Sequence, residues 1–305
     1  MNQKVTLIYN PTAGRLRRDP ELLERLALAL QDRGLTVTLA PTAHAQHASE
    51  LAREAVMLGA DCILVLGGDG TINEAAQGMI GSRAALAFYP GGTANVFAKE
   101  LNMPHDPEAL AELIAANFTR TIGIGKASKP TGNWQRYFLL MAGIGLDATI
   151  VQNVNLDWKK KAGIGAYVAA GLGFLARMPL TPFTYSINGN KRPSNFTLIS
   201  NAANYAAFFT LAPDARLEDK DFKVCSFNSR SRLAYLFYAL MSVSGRHTRS
   251  SGVTYESAQQ VSANSNDDAL VQLDGEVVGH LPMQFEKLPH ALRVVAPPVN
   301  SVRRQ

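Results

Sequence analysis

The chain has 305 residues, enough for two domains of ordinary size or one large one, each able to bury a core. With 47% apolar and 18% charged residues it is a folded, water-soluble protein, which excludes an intrinsically disordered chain poorer in apolar side chains and richer in net charge. The formal charge of +5 suits phosphates, nucleotides or anionic membrane surfaces and does not by itself argue for nucleic acid. Cys62 and Cys225 lie in the apolar contexts "DCILVL" and "KVCSF", so two buried, unpaired thiols and a cytoplasmic setting are expected. The N-terminal apolar run before Asn10 is too short for a signal peptide, and the longest apolar stretch, from Ile164, stops short of a membrane span and contains Arg177.

In chain order, "VTLIY" at 5–9 is β-rich and is followed by the loop "NPTAGRLRRDP". A helix is predicted over 20–33: Asp19 is placed to cap it, Pro20 suits its first position, Leu22, Leu23, Leu26, Ala27 and Leu30 form one stripe, and Gly34 ends it. "LTVTLA" is a strand, "AQHASELAREAVMLG" a helix ending at Gly59, "CILVL" a buried strand and "TINEAAQGMI" a helix. "ALAFYP" is again strand and "NVFAKEL" a short helix, after which Asp106 and Pro107 start another. Repeated units of this kind predict an α/β domain with a parallel sheet covered by helices.

After about Thr121 the pattern changes. "YFLLMAG", "FTYSIN", "SNFTLISN", "FKVCSF", "ALVQLDGE" and "LPMQFEKL" lie between Gly, Asn, Pro and Asp turns, as in an antiparallel β domain. Two helices interrupt it, over 161–178 and about 231–243. The boundary near Thr121 rests on this change of pattern alone.

Three loops follow strands and would open on one edge of the parallel sheet, where ligands of open α/β sheets bind. In "GGDGT", Gly67, Gly68 and Gly70 free the backbone so that N–H groups face phosphate oxygens. Thr71 followed by Glu74 is a capping-box pattern that would aim a helix N-terminus at the same spot. A carboxylate at Asp69 beside phosphate calls for a divalent cation, so Asp69 suggests Mg²⁺; a tight Asp-Gly turn without ligand is the alternative. In "PGGTAN", Gly91 and Gly92 free the backbone while Thr93 and Asn95 offer a hydroxyl and an amide to a phosphate or ribose. "NPTAG" at 10–14 precedes Arg15, Arg17 and Arg18. Three such loops on one edge point to a nucleotide.

The set "NPTAG" at 10–14, "GGDGT" at 67–71, "PGGTAN" at 90–95, "GIGLDA" at 143–148, "PDARLEDKDF" at 213–222 and "LDGE" at 273–276 resembles the diacylglycerol kinase catalytic-domain family, which includes sphingosine and ceramide kinases and soluble bacterial lipid kinases. The motifs stand in family order over nearly the whole chain. The resemblance implies a nucleotide-binding α/β domain like that of NAD kinase over 1–121, joined again by 294–305, and an antiparallel β-sandwich domain for the lipid over 122–293. It implies ATP and Mg²⁺ as cofactors, with ATP held by Asn10, Thr42, Gly67, Gly68, Asp69, Gly70, Thr71, Ile72, Asn73, Gly92, Thr93 and Asn95. Asp69 would act through catalytic Mg²⁺, and Glu276 would be the general base that takes the lipid hydroxyl's proton. A hairpin turn at Asp274 and Gly275 is compatible with that role. A structural Mg²⁺ would use the Asp219 carboxylate with carbonyls of Arg216 and Asp221, although Lys220 stands where the family commonly has glycine.

Asp147 either faces the substrate cleft or caps a following helix. His44 and His47 are expected on a helix surface rather than at a metal. Trp158 beside Lys159, Lys160 and Lys161 either rests on anionic headgroups or is a solvated charge run before a core helix. The partner implied is a lipid substrate at an anionic membrane surface, with no nucleic acid and a homodimer left open. The alternatives are a NAD kinase, which "PGGTAN" and "LDGE" fit less well, and an inactive nucleotide- or lipid-binding module, which would tolerate losing Asp69 or Glu276.

Overall fold

The computed structural model describes residues 2–92, 94–153, 180–205, 209–229 and 231–298. The chain divides into two compact units, Met1–Ile124 with Pro289–Gln305, and Gly125–Leu288.

The first unit alternates β1 (Lys4–Tyr9), α1 (Gly14–Arg18), α2 (Leu22–Gln31), β2 (Thr36–Pro41), α3 (His47–Met57), β3 (Cys62–Gly67), α4 (Asp69–Met79), β4 (Ala85–Pro90), α5 (Val96–Leu101) and α6 (Pro107–Ala115). The strands run parallel in the order β2-β1-β3-β4, and Arg293 and Val294 pair in parallel with Ala85 and Leu86 beside β4. Every residue of β3 and β4 is buried, which explains their unbroken apolar runs: helices cover both faces of a parallel sheet. Helix α3 packs on α4 and α2 on α6. The first crossing is close enough that a Cβ on Gly78 would lie 2.2 Å from the Ser49 carbonyl oxygen.

Helix starts differ in part from expectation. Asp106 caps α6 as its sequence implies, accepting the Ala109 N–H at 2.9 Å, with Pro107 at the first helical position. Asp19 does not cap α2, which begins two residues later; its carboxylate instead takes the Arg25 guanidinium in a fork at 2.6 and 3.2 Å. The arginine-rich segment after "NPTAG", expected as loop, contains α1.

The second unit holds β5 (Thr119–Ser128, entering from the first unit), β6 (Gln135–Phe138), β7 (Met141–Gly145), α7 (Leu146–Asn153), β8 (Phe183–Ile187), β9 (Asn190–Ser194), β10 (Phe196–Ser200), β11 (Asn204–Tyr205), β12 (Phe209–Thr210), β13 (Phe222–Phe227), α8 (Arg232–Ser242), β14 (Val253–Ala258), β15 (Gln260–Asn264), β16 (Leu270–Leu273), β17 (Glu276–His280) and β18 (Met283–Val295), whose end belongs to the first unit. An antiparallel sheet runs β14-β13-β10-β7-β16-β17. A second antiparallel set joins β9, β8, β15 and the start of β18. Their inner faces share one core, with Ile144, Ile199, Phe222, Val224 and Val271 from the first sheet and Tyr185, Val261 and Phe285 from the second. This is a β-sandwich. Both cysteines are buried and unpaired, and burial pushes the Cys62 thiol up to about 12.

Among the described residues no helix is long and apolar enough to cross a membrane. The helix expected over 161–178, Trp158 with Lys159–Lys161, Thr93 and residues 299–305 of the expected C-terminal return lie outside the described residues.

Candidate active site

In the first unit the loops at the carboxyl edge of the parallel sheet meet one another. The Gly91 N–H donates to the Gly67 carbonyl at 2.9 Å, so the turns after β3 and β4 start side by side. A Cβ on Gly92 would lie 2.7 Å from the Gly68 Cα; the two turns touch backbone to backbone and only glycine permits it. The Thr42 N–H donates to the Tyr9 carbonyl at 2.9 Å, joining the loop after β2 to the end of β1. At Asn10, the side-chain oxygen accepts from the Thr12 N–H at 2.9 Å and the Thr12 hydroxyl at 2.8 Å, which fixes the "NPTAG" turn. Arg15, just beyond, reaches the Tyr89 hydroxyl at 3.2 Å.

Asp69 begins α4, with Gly68 as the N-cap residue and no side-chain cap. The Thr71–Glu74 capping box is therefore not formed; the helix starts two residues earlier and Thr71 lies in its first turn. Asp69 instead turns its carboxylate to the next loop, accepting the N–H groups of Val96 and Phe97 at 3.2 Å each. It thereby caps α5 and locks the two glycine loops together. A carboxylate has about four acceptor positions, so two remain for a cation or its waters.

Asn95 is a second departure. Its residue adopts positive φ, its Oδ1 accepts the Gly92 N–H at 2.9 Å and its Nδ2 donates to the Gly92 carbonyl at 3.0 Å. The amide expected to meet a ribose or phosphate instead braces its own loop. Ile72 is fully buried and Asn73 nearly so, and Gln77 donates to the Asn73 Oδ1 at 3.0 Å. These two residues hold the loop from beneath, while Gly70 is exposed with open space where a Cβ would be. The bare backbone, the N-terminus of an eleven-residue helix and a carboxylate with acceptor capacity to spare suit a nucleotide phosphate chain and its cation.

In the second unit "LDGE" forms a hairpin between β16 and β17, with Leu273 paired to Glu276. Asp274 and Gly275 both have positive φ, as the two-residue turn favoured for hairpins requires. The Asp274 carboxylate accepts three backbone N–H groups, from Leu139 at 2.6 Å and from Leu140 and Met141 at 2.9 Å. Its neighbour Gly275 donates its N–H to the Gln272 Oε1 at 2.7 Å, and the same Gln272 donates through Nε2 to Asp147 at 2.7 Å. The turn is thus tied to β7 and to α7.

Asp147 is fully buried in the first turn of α7, where Gln272 and the Tyr205 hydroxyl donate to its two oxygens. Burial pushes its carboxyl above the usual carboxylate range, and the two donors pull the other way. A Cβ on Gly143 would lie 1.5 Å from the Asp147 Oδ2, which accounts for the glycine of "GIGLDA". Glu276 is exposed, with Arg136 donating to its Oε2 at 2.5 Å. Arg136, Gln272, Tyr205 and the clamp by Asp274 were not read from the sequence. Asp274 and Gln272 stand in the "LVQLDGE" stretch itself, whereas Arg136 and Tyr205 carry no sequence signal.

Arg216 and Asp219 close a turn: the Arg216 N–H donates to the Asp219 Oδ2 at 2.9 Å and the Asp219 N–H to the Arg216 carbonyl at 3.0 Å. Asp219, Lys220 and Asp221 line a polar concavity of about 250 Å³ with Asp214, Lys223 and Ser257. Lys287 is buried nearby, and burial pushes its ammonium down to about 8 against the pull of Asp219, Asp221 and Glu218. This internal cation supplies positive charge to the acidic turn, a feature that "EKL" in a strand does not reveal. His44 and His47 stack at 4.6 Å, and with Glu50 they bring potential ligand atoms within 4.8 Å of one another. The His47 Nδ1 accepts the Ala43 N–H at 2.9 Å, so this ring also shapes the entry to α3.

The chain thus carries an α/β unit with paired glycine loops and a β-sandwich unit with an acidic hairpin. Residues 4–127 match the diacylglycerol kinase catalytic domain, and residues 141–296 match the YegS C-terminal NAD kinase beta sandwich-like domain. The chain belongs to the diacylglycerol kinase catalytic-domain family of lipid kinases. It is 29% identical to a diacylglycerol kinase of Bacillus subtilis over 97% of both chains, and 29% identical to one of Staphylococcus aureus over 97% of this chain and 93% of the relative. A crystal structure of a diacylglycerol kinase from Bacillus anthracis superposes with a TM-score of 0.75 at 23% identity, covering 98% of each chain, which shows the shared fold.

Proposed function

We propose that the protein transfers the γ-phosphoryl group of ATP to a hydroxyl of diacylglycerol or a related lipid at a membrane surface. The observation that supports this most is the Gly68–Gly92 contact with Asp69 bridging both loops, a phosphate cradle whose backbone is kept bare by two glycine turns. Gly67 to Thr71, with Asn10, Thr42, Gly92 and Thr93, would hold ATP, with Ile72 and Asn73 supporting the loop from beneath, and the spare acceptor positions of Asp69 would hold Mg²⁺. Mg²⁺, when bound, offsets the charge that develops on the transferred phosphoryl group. Glu276 takes the hydroxyl proton as the lipid oxygen bonds to the γ-phosphorus and the bond to the ADP oxygen breaks; Arg136 holds its Oε2 and fixes the carboxylate's direction. Asp274 and Gln272 keep the hairpin that carries Glu276 rigid. The Asp219 carboxylate and the carbonyls of Arg216 and Asp221 are oxygen ligands of the kind Mg²⁺ takes, and we assign a second, structural cation to that turn.

Two substitutions separate the roles. Glu276→Gln lowers kcat by about 10²- to 10⁴-fold with the affinity for MgATP nearly unchanged. Asp69→Asn shifts the Mg²⁺ titration and weakens ATP. Wild-type turnover in the first variant removes Glu276 from the chemistry, and an unchanged Mg²⁺ titration in the second removes Asp69 from the cation.

A further inference from the structure

Helix α8 presents an unusual surface. Leu233, Phe237 and Leu240 are 75%, 51% and 66% exposed, and Val243, which caps the helix, is 63% exposed. Spaced four and three apart, the first three fall within about 60° of one another around the helix axis. The opposite face is held to the β-sandwich by buried Tyr235, Tyr238 and Ser242. The Tyr238 ring packs on Phe227 at 5.3 Å and its hydroxyl donates to the Ser251 carbonyl at 3.0 Å. The tyrosines face inward and the leucines and Phe237 face solvent, so the helix is docked by one side and apolar on the other.

Isolated exposed apolar residues are ordinary, but four along the length of one helix form a patch of the kind that marks an interaction surface. The surrounding charge selects its partner. From Phe222 to Tyr255 the chain has no Asp or Glu, and it carries Lys223, Arg230, Arg232, Arg246 and Arg249. Arg232, Arg246 and Arg249 are exposed at the two ends of the helix. An apolar stripe bordered by arginines, with no acidic residue in the segment, matches an anionic lipid interface: the stripe enters the acyl boundary while guanidinium groups meet phosphate headgroups.

We propose that the solvent face of α8, built from Leu233, Phe237, Leu240 and Val243 and flanked by Arg232, Arg246 and Arg249, docks the protein on anionic bilayers. The proposal deepens the lipid-kinase reading by naming where the substrate-bearing surface is met, and it rests on that reading only for its purpose.

The test is sedimentation with vesicles of phosphatidylcholine and phosphatidylglycerol, without ATP or acceptor. Leu233→Ser with Phe237→Ser and Leu240→Ser lowers the partition coefficient at least about tenfold. Gln at Arg232, Arg246 and Arg249 lowers it by up to about a hundredfold at low salt, and by much less at high salt or on phosphatidylcholine alone. Transfer to a short-chain diacylglycerol dispersed as monomers stays at the wild-type rate in both variants. Equal pelleting of wild type and variants overturns the proposal. So does a fall in Tm of more than a few degrees in the serine variant, which marks the stripe as an internal packing face, or conversion of a dimer to a monomer, which assigns the face to a second copy. A serine variant that fails to fold overturns the proposal on the same ground, and the glutamine variant, which leaves the stripe intact, tests the arginines independently. A wild type that pellets through α8 but phosphorylates no lipid overturns the kinase reading and leaves this surface standing.

Discussion

Asp274→Asn tests whether the acidic hairpin is held by its own aspartate. The carboxylate receives three backbone N–H groups from Leu139, Leu140 and Met141, all of them buried residues. Hydrogen bonds to a charged acceptor contribute about 1.5–3 kcal/mol each, and a buried donor left without a partner costs about 1–3 kcal/mol. Asparagine keeps the shape but replaces one acceptor oxygen with an NH₂ that faces an N–H. At least one bond is lost and its contact becomes repulsive, a cost of about 2–4 kcal/mol. For a domain of this size each kcal/mol moves Tm by about 2–4 °C, so a fall of about 5–15 °C is expected by circular dichroism. Steady-state transfer at a temperature where the variant is folded should show kcat down tenfold or more with KM for ATP within about twofold, because loosening the turn misplaces Glu276 and not the nucleotide loops. A Tm within 1 °C of wild type, or an unchanged kcat, would refute the reasoning.

Two further outcomes are expected. Gly92→Ala puts a Cβ 2.7 Å from the Gly68 Cα, so the glycine turns must separate; affinity for ATP measured by titration calorimetry falls at least tenfold while the β-sandwich transition is unmoved. Lys287→Met removes a buried ammonium whose pKa is about 8 in the folded protein against 10.5 ordinarily. Between those values the unfolded chain binds more protons, so wild-type stability rises with pH across the window and is lowest below pH 8, by about 3 kcal/mol. The variant loses that rise in urea unfolding followed against pH; wild-type and variant curves that run parallel through the window would contradict the assignment.

The parts of the fold that were legible are those where one physical demand fixes the residues. Strands β3 and β4 are buried on both faces and so are unbroken apolar runs, and their ends were readable nearly to the residue. Helix α6 announces itself through Asp106 and Pro107. The hairpin at Asp274 and Gly275 was legible because few residues tolerate two successive positive φ values. Where a side chain has two ways to be satisfied, sequence misleads. Thr71 and Glu74 have capping-box spacing, yet the helix starts at Asp69, whose carboxylate finds amides in the next loop. Asp19 has the place of a cap and takes Arg25 instead, and Asn95 folds back on Gly92. Contacts between distant segments carry no local signal: Arg136 and Glu276 meet across 140 residues of chain, and the buried ammonium of Lys287 stands in an ordinary strand sequence.

The measurement closest to the central claim is transfer of label from ATP carrying a radioactive γ-phosphate, with Mg²⁺, to diacylglycerol and related lipids in mixed micelles, beside NAD and a control without acceptor. Label in a lipid, abolished by Glu276→Gln, is the predicted result. Label in NAD with none in any lipid would contradict the account and make the protein a nucleotide kinase.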